Sequence, residues 1–120
     1  MNNSFYIGKK KIGLNHPTYF IADIAANHDG NLDKALELIN VVAASGADAA
    51  KFQHFQAETI VSDYGFKSLG GQKSHQASWK KSVFEVYKDA SLPLEWTPIL
   101  KQECDKVGIE FFTSPYSIEL

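Results

Sequence analysis

Only one cysteine, Cys104, occurs in the 120 residues. An intrachain disulfide is excluded, and a reducing, cytoplasmic setting is the expectation. Cys104 falls in a helical pattern and reads as a packed thiol, not a nucleophile. Long apolar runs are missing too: none approaches the roughly 18 residues of a membrane span. The start, MNNSFYIGKKK, lacks the apolar stretch of a signal peptide. Neither charge sign is in excess. A formal net charge of −2 gives no reason to expect nucleic acid or an anionic membrane as partner. The four histidines, His16, His28, His54 and His75, show no metal-ligand spacing on one helix. No low-complexity tract or interdomain linker is present.

What remains is ordinary globular composition, with 44% hydrophobic and 22% charged residues. Residues 5–13 (FYIGKKKIG) read as a small hairpin, with arms Phe5–Ile7 and Lys11–Ile12 and a turn over Gly8 to Lys10. Tyr19 to Ala25 is a nearly continuous apolar run broken by one acid, Asp23, which fits a parallel strand buried on both faces. It ends in a polar cluster, Asn27-His28-Asp29-Gly30-Asn31. Asn31 can cap a helix whose apolar positions Leu32, Ala35, Leu36, Ile39 and Ala43 recur at helical spacing. Gly46 closes that helix as its left-handed C′ residue. A second short strand follows over Ala47 to Gln53. Strand, helix and strand in this order form a βαβ unit, with parallel pairing and a right-handed crossover.

Residues 54–78 hold three glycines and no sustained period, the profile of a long functional loop. Helical spacing returns through Trp79, Val83, Val86, Tyr87 and Ala90. Ser91 with Pro93 at N1 predicts another helix, lined inside by Trp96, Ile99, Leu100, Cys104 and Val107 and ended by Gly108, with Pro98 in its early turns. Ile109 to Phe112 is a third strand running into Thr113-Ser114-Pro115-Tyr116. Each strand ends in polar residues: Asn27 and His28, then Lys51 and Gln53, then Thr113 and Ser114. Those ends would share one rim of a parallel sheet, where α/β proteins build their sites. Three strands do not close a barrel, which needs about 250 residues. The expectation is therefore an α/β segment, residues 1–120, forming the N-terminal portion of a (β/α)8 TIM barrel: a hairpin and about the first three βα units. Alone, it is expected to be inactive and to associate through open strand edges.

The run IADIAANHDGNLDKALELI, then GADAAKFQ, then FFTSPYS resembles the N-terminal part of the sialic acid synthase family. That family comprises the N-acetylneuraminate synthases with their legionaminic, pseudaminic and spore-coat polysaccharide relatives. Its pattern is apolar-A-E-I-G-x-N-H-x-G, then G-A-D-x-x-K-F-Q, then a strand ending S-T-P-F. Asp23 stands where the family has glutamate, Ala25 where it has the next glycine, and Thr113-Ser114-Pro115-Tyr116 where it has S-T-P-F. The resemblance implies a TIM barrel that condenses phosphoenolpyruvate with an N-acyl hexosamine such as N-acetylmannosamine. The products are a nine-carbon 2-keto acid and phosphate. It also implies a divalent cation, Mn2+ or Mg2+, acting as Lewis acid on the open-chain aldehyde, with ligands beyond residue 120. The implied assembly is a homodimer that carries a C-terminal antifreeze-like domain.

On the matching positions, Lys51 would neutralise the phosphate or carboxylate of phosphoenolpyruvate. Asp23 would carry a proton to the developing alkoxide or from the attacking water. Its alternative is a structural salt bridge, with Lys51 itself. His28 joins Asp23 as a catalytic candidate, while Asn27, Gln53 and Ser114 are substrate-binding candidates. Tyr64, Phe66, Gln72 and His75 are candidates to touch the sugar. Two other readings stand beside this one: a Schiff-base aldolase using Lys51, and a non-catalytic assembly element.

Overall fold

The computed structural model describes residues 3–55, 85 and 91–116. Two short strands open the chain, β1 (Phe5–Ile7) and β2 (Lys10–Ile12), paired antiparallel with Phe5 opposite Ile12. Ile7 faces Lys10, so the turn is the two residues Gly8-Lys9. It is one residue tighter than the sequence implies, because Gly8 takes a left-handed φ of 58°.

Three further strands form a parallel sheet in the order β3-β4-β5: β3 (Ile21–Ala25), β4 (Ala49–His54) and β5 (Glu110–Pro115). The first βαβ unit is closed by α1 (Leu32–Ala44). Asn31 caps it, its side chain accepting from the Lys34 N–H at 3.0 Å, and Gly46 follows its C-terminus with φ 88°. Ala35, Ile39 and Val42 are its buried face. They meet Phe52 of β4, and Leu100 and Cys104 of α2 (Thr97–Val107), in one apolar core.

Several boundaries differ from expectation. β3 begins at Ile21, not Tyr19, and it is an edge strand of this sheet: only Ile24 is buried, while Phe20 is 62% and Ile21 44% exposed. Its apolar run therefore does not produce a strand buried on both faces here. β4 starts two residues later than expected and ends one later, so His54 belongs to it. The expected helix start at Ser91-Pro93 becomes a 3-10 turn, Leu94–Trp96, and α2 starts at Thr97 with Pro98 in its first turn. There the missing proline N–H breaks no helical bond. Ile99, placed on the inner face, is 40% exposed. β5 runs to Pro115, taking Thr113 and Ser114 into the ladder. The helix expected over 79–90 lies outside the described residues.

Asp48 fastens the hairpin to the sheet. One carboxylate oxygen takes the Lys10 ammonium at 2.7 Å and the other takes the Phe20 N–H at 2.8 Å. These two bonds, the Lys10 pair foremost, hold its carboxyl below the usual range. Its backbone joins both neighbouring strands: its N–H donates to the Phe20 carbonyl at 2.8 Å, and its carbonyl accepts the Glu110 N–H at 3.0 Å.

Candidate functional site

Register decides which side chains share a face of the sheet. Asp23 pairs with Lys51, Lys51 with Phe112, and Gln53 with Ser114. Paired residues of a parallel ladder stand side by side, and alternate residues along a strand return to the same face. Asp23, Lys51 and Phe112 thus form one row. Gln53 and Ser114 form a second row, nearer the carboxyl ends of the strands. Strand spacing and residue rise make this a patch roughly 10 Å wide and 7 Å tall. Ala50, Phe52 and His54 alternate with these residues and are buried on the opposite, helix-covered face.

Asp23 is exposed, and Lys51, Gln53 and Ser114 are half-buried. The salt bridge weighed for Asp23 and Lys51 is not formed: among the described residues neither side chain has an ion-pair partner. An ammonium and a carboxylate on adjacent strands, both uncommitted, suit the binding of an anion and the movement of a proton. Phe112 extends the row, and Tyr19 stacks on it with ring centroids 6.2 Å apart. The Tyr19 hydroxyl is buried and has no partner among the described residues. Burial first, then the charges of Glu110 and Asp48, pushes its pKa up.

The polar cluster after β3 divides. Asn27 is exposed, in a turn where its N–H donates to the Ile24 carbonyl at 3.0 Å. His28 is fully buried, with its ring 5.4 Å from Trp96 in an edge-on contact. Its Nδ1 accepts the Gly30 N–H at 3.0 Å, so Nε2 carries the proton and finds no partner among the described residues. Burial drives its pKa down. The structure places His28 at the buried strand-to-helix turn and not in the Asp23–Lys51 row.

Sequence reasoning overlooked Phe112, Tyr19 and His54. Alternation from Lys51 would have placed His54 on the helix side and Phe112 beside Lys51. The Tyr19–Phe112 stack joins residues far apart in the chain and leaves no local signal. Tyr64, Phe66, Gln72 and His75 lie outside the described residues. A cleft of about 560 Å³ does occur, lined by Lys9, Lys10, Tyr19, Asp48 and Glu110 among others. It sits at the amino ends of β4 and β5, away from the rim where such folds carry chemistry.

The described residues do not fit a divalent cation: no group of three or more His, Cys, Asp or Glu among them could hold a metal ion. No helix among them is long and apolar enough to cross a membrane.

Known proteins are similar to this chain in sequence and in fold. The spore coat polysaccharide biosynthesis protein SpsE of Bacillus subtilis is 33% identical over 111 residues, covering 92% of this chain and 28% of that protein. The N,N'-diacetyllegionaminic acid synthase of Legionella pneumophila is 32% identical over 109 residues, 91% of this chain and 30% of that one. Human N-acetylneuraminate-9-phosphate synthase is 33% identical over 103 residues, 86% and 28% respectively. The chain thus spans less than a third of the length of these relatives. Among solved structures, the N-acetylneuraminic acid synthetase of Leptospira borgpetersenii, crystallised with citrate, superposes with a TM-score of 0.73 at 29% identity. That superposition covers 97% of this chain and 35% of the other. The fold is that of the N-terminal portion of the (β/α)8 barrel of these synthases. The NeuB family model matches residues 38–120, which include β4 and β5 with Lys51, Gln53 and Ser114, and the chain belongs to the NeuB family.

Proposed function

We propose that this chain supplies the first part of the substrate site of a sialic-acid-type synthase. The reaction joins phosphoenolpyruvate, an N-acyl hexosamine and water into a nine-carbon 2-keto acid and releases phosphate. The carrying observation is the shared open face: Asp23 beside Lys51 in mid-strand, and Gln53 beside Ser114 toward the carboxyl ends of the parallel strands. Lys51 neutralises the carboxylate or phosphate of phosphoenolpyruvate. Gln53 and Ser114 bond its oxygens, and Asn27 shapes the exposed turn beside them. Asp23 moves the proton that the attacking water loses and the developing alkoxide gains. His28 is left out of the chemistry and supports the strand-to-helix turn. Relatives named as pseudaminic and legionaminic acid synthases support this reading.

The test is phosphate release from phosphoenolpyruvate by the full-length protein, with N-acetylmannosamine and its diacetamido analogues offered as acceptors. Release should require the acceptor. Lys51→Met should raise the KM for phosphoenolpyruvate about 10- to 100-fold, the worth of one charge-assisted hydrogen bond of ~1.5–3 kcal/mol. Trapping of a covalent adduct on Lys51 by borohydride would mean imine chemistry and would sink this reading.

A further inference from the structure

His54 ends β4 with its side chain on the helix-covered face, 2% exposed. Its ring touches two hydroxyls. Nδ1 bonds the Thr113 hydroxyl of β5, and Nε2 lies 2.7 Å from the hydroxyl of Thr97, the first residue of α2. Phe111 packs edge-on against the ring at 6.4 Å. The His54 carbonyl accepts the Tyr116 N–H at 2.9 Å. A neutral imidazole offers one donor and one acceptor, and a threonine hydroxyl serves as either. The ring can therefore satisfy both hydroxyls in either tautomer. Two strand ends and a helix start meet on one buried side chain.

Packing alone does not require a histidine here, because a phenylalanine fills similar space without polar atoms to satisfy. What the imidazole adds is direction. Gln53 immediately precedes His54, and Ser114 immediately follows Thr113. Gln53 and Ser114 are register partners on the opposite, open face. Successive side chains alternate across a strand. A bond between His54 and Thr113 behind the sheet therefore sets how the two strand ends present Gln53 and Ser114 in front of it. Thr97 ties the same ring to α2 and keeps it from turning.

We infer that His54 is a positioning residue: through Thr113 and Thr97 it holds the Gln53–Ser114 pair at the spacing that grips phosphoenolpyruvate. This rests on the synthase reading above, and the experiment separates the two. In the full-length protein, His54→Phe removes both bonds, and Thr113→Val removes one hydroxyl at constant shape. His54→Asn keeps a polar atom near the Nδ1 position. Two readouts are taken: phosphoenolpyruvate kinetics, and amide hydrogen exchange at Tyr116. T113V is expected to raise KM about tenfold, the equivalent of one lost hydrogen bond, and H54F, which loses both bonds, at least as much, with kcat little changed. H54N should restore most of the loss, and T113V should add nothing on the H54F background. Exchange at Tyr116 should quicken in H54F and not in H54N, while the β3–β4 amides stay protected. Unchanged KM with lowered thermal stability would overturn the inference, as would additive H54F and T113V effects. If the wild-type protein consumes no phosphoenolpyruvate, the synthase reading falls and exchange decides alone. Selective quickening at Tyr116 in H54F then supports the clamp, and equal exchange in all variants refutes it.

Discussion

Replacing Ala25 by glycine is expected to stabilise the protein. Ala25 ends β3 with φ 52°, where the register between β3 and β4 shifts after Asp23. An L-residue in the left-handed region bears a steric cost of ~1–2 kcal/mol that glycine escapes. Against this, glycine widens the freedom of the unfolded chain, which takes back ~0.4–1 kcal/mol. Loss of one half-buried methyl removes a few tenths more, at ~25 cal/mol per Å². The balance is a gain of roughly 0.5 kcal/mol, up to about 1. The control is the next residue. Ala26 is half-buried like Ala25 but not among the positive-φ positions, so Ala26→Gly meets the unfolded-state and methyl terms with no relief of strain and should cost at least ~0.4–1 kcal/mol. Urea unfolding of the three proteins, with slopes held equal, measures both differences. A25G should lie above wild type and A26G below it, separated by about 1–2 kcal/mol. If A25G falls as far as A26G, Ala25 is not strained in solution and the argument fails.

Asp48→Ala should lower stability by about 2 kcal/mol, from a backbone hydrogen bond to a charged acceptor and a half-exposed ion pair; Asp48→Asn should lose less, since an amide oxygen can still accept from Phe20. Because the folded carboxyl titrates below its unfolded value, this contribution is present above about pH 4 and lost as pH falls below it. Urea midpoints of wild type and D48A should therefore converge in acid, and a constant gap would refute the latch. His28 and His54 act in a different window. Burial lowers both pKa values, so the unfolded chain binds more protons below about pH 6.5, and stability should drop as pH falls through that value. The slope should reach up to about 1.4 kcal/mol per pH unit for each ring. A flat stability profile between pH 7 and 5 would show that neither ring is buried neutral.

The parallel sheet and α1 were legible because their signals are local and agree with one another. Asn31, the 3.6-residue spacing and Gly46 each mark the same helix, and the apolar run to Ala25 marks a strand whatever lies beside it. Start signals could not be ranked in the same way. Ser91-x-Pro93 and Thr97-Pro98 both satisfy helix-entry chemistry, and only the packing of Trp96 and Leu100 chooses between them. The site was legible in part for the same reason. Lys51, Gln53 and Ser114 follow from strand ends and alternation, which are properties of the chain. Exposure at Asp23 and burial at His28 are properties of neighbours. Trp96, which closes over His28, lies 68 positions away, and no pattern around Asn27-His28 announces it. Thr97 and His54 are joined across 43 positions, again beyond any local period.

Asp48 also bears on the order in which the fold can assemble. Its bonds reach back to Lys10 and Phe20 and forward to Glu110. The backward partners leave the ribosome before Asp48 does, whereas Glu110 is made more than sixty residues later. Doubling the span of a loop adds only about 0.6 kcal/mol to its closure, so the late bond is scarcely weaker at equilibrium. The difference is one of timing. Hairpin, β3, α1 and β4 can be stapled through the Asp48 side chain while its carbonyl still waits for β5. N-terminal units of a nascent chain fold first, and an early staple of this kind keeps the β3–β4 pair in register until the third strand arrives.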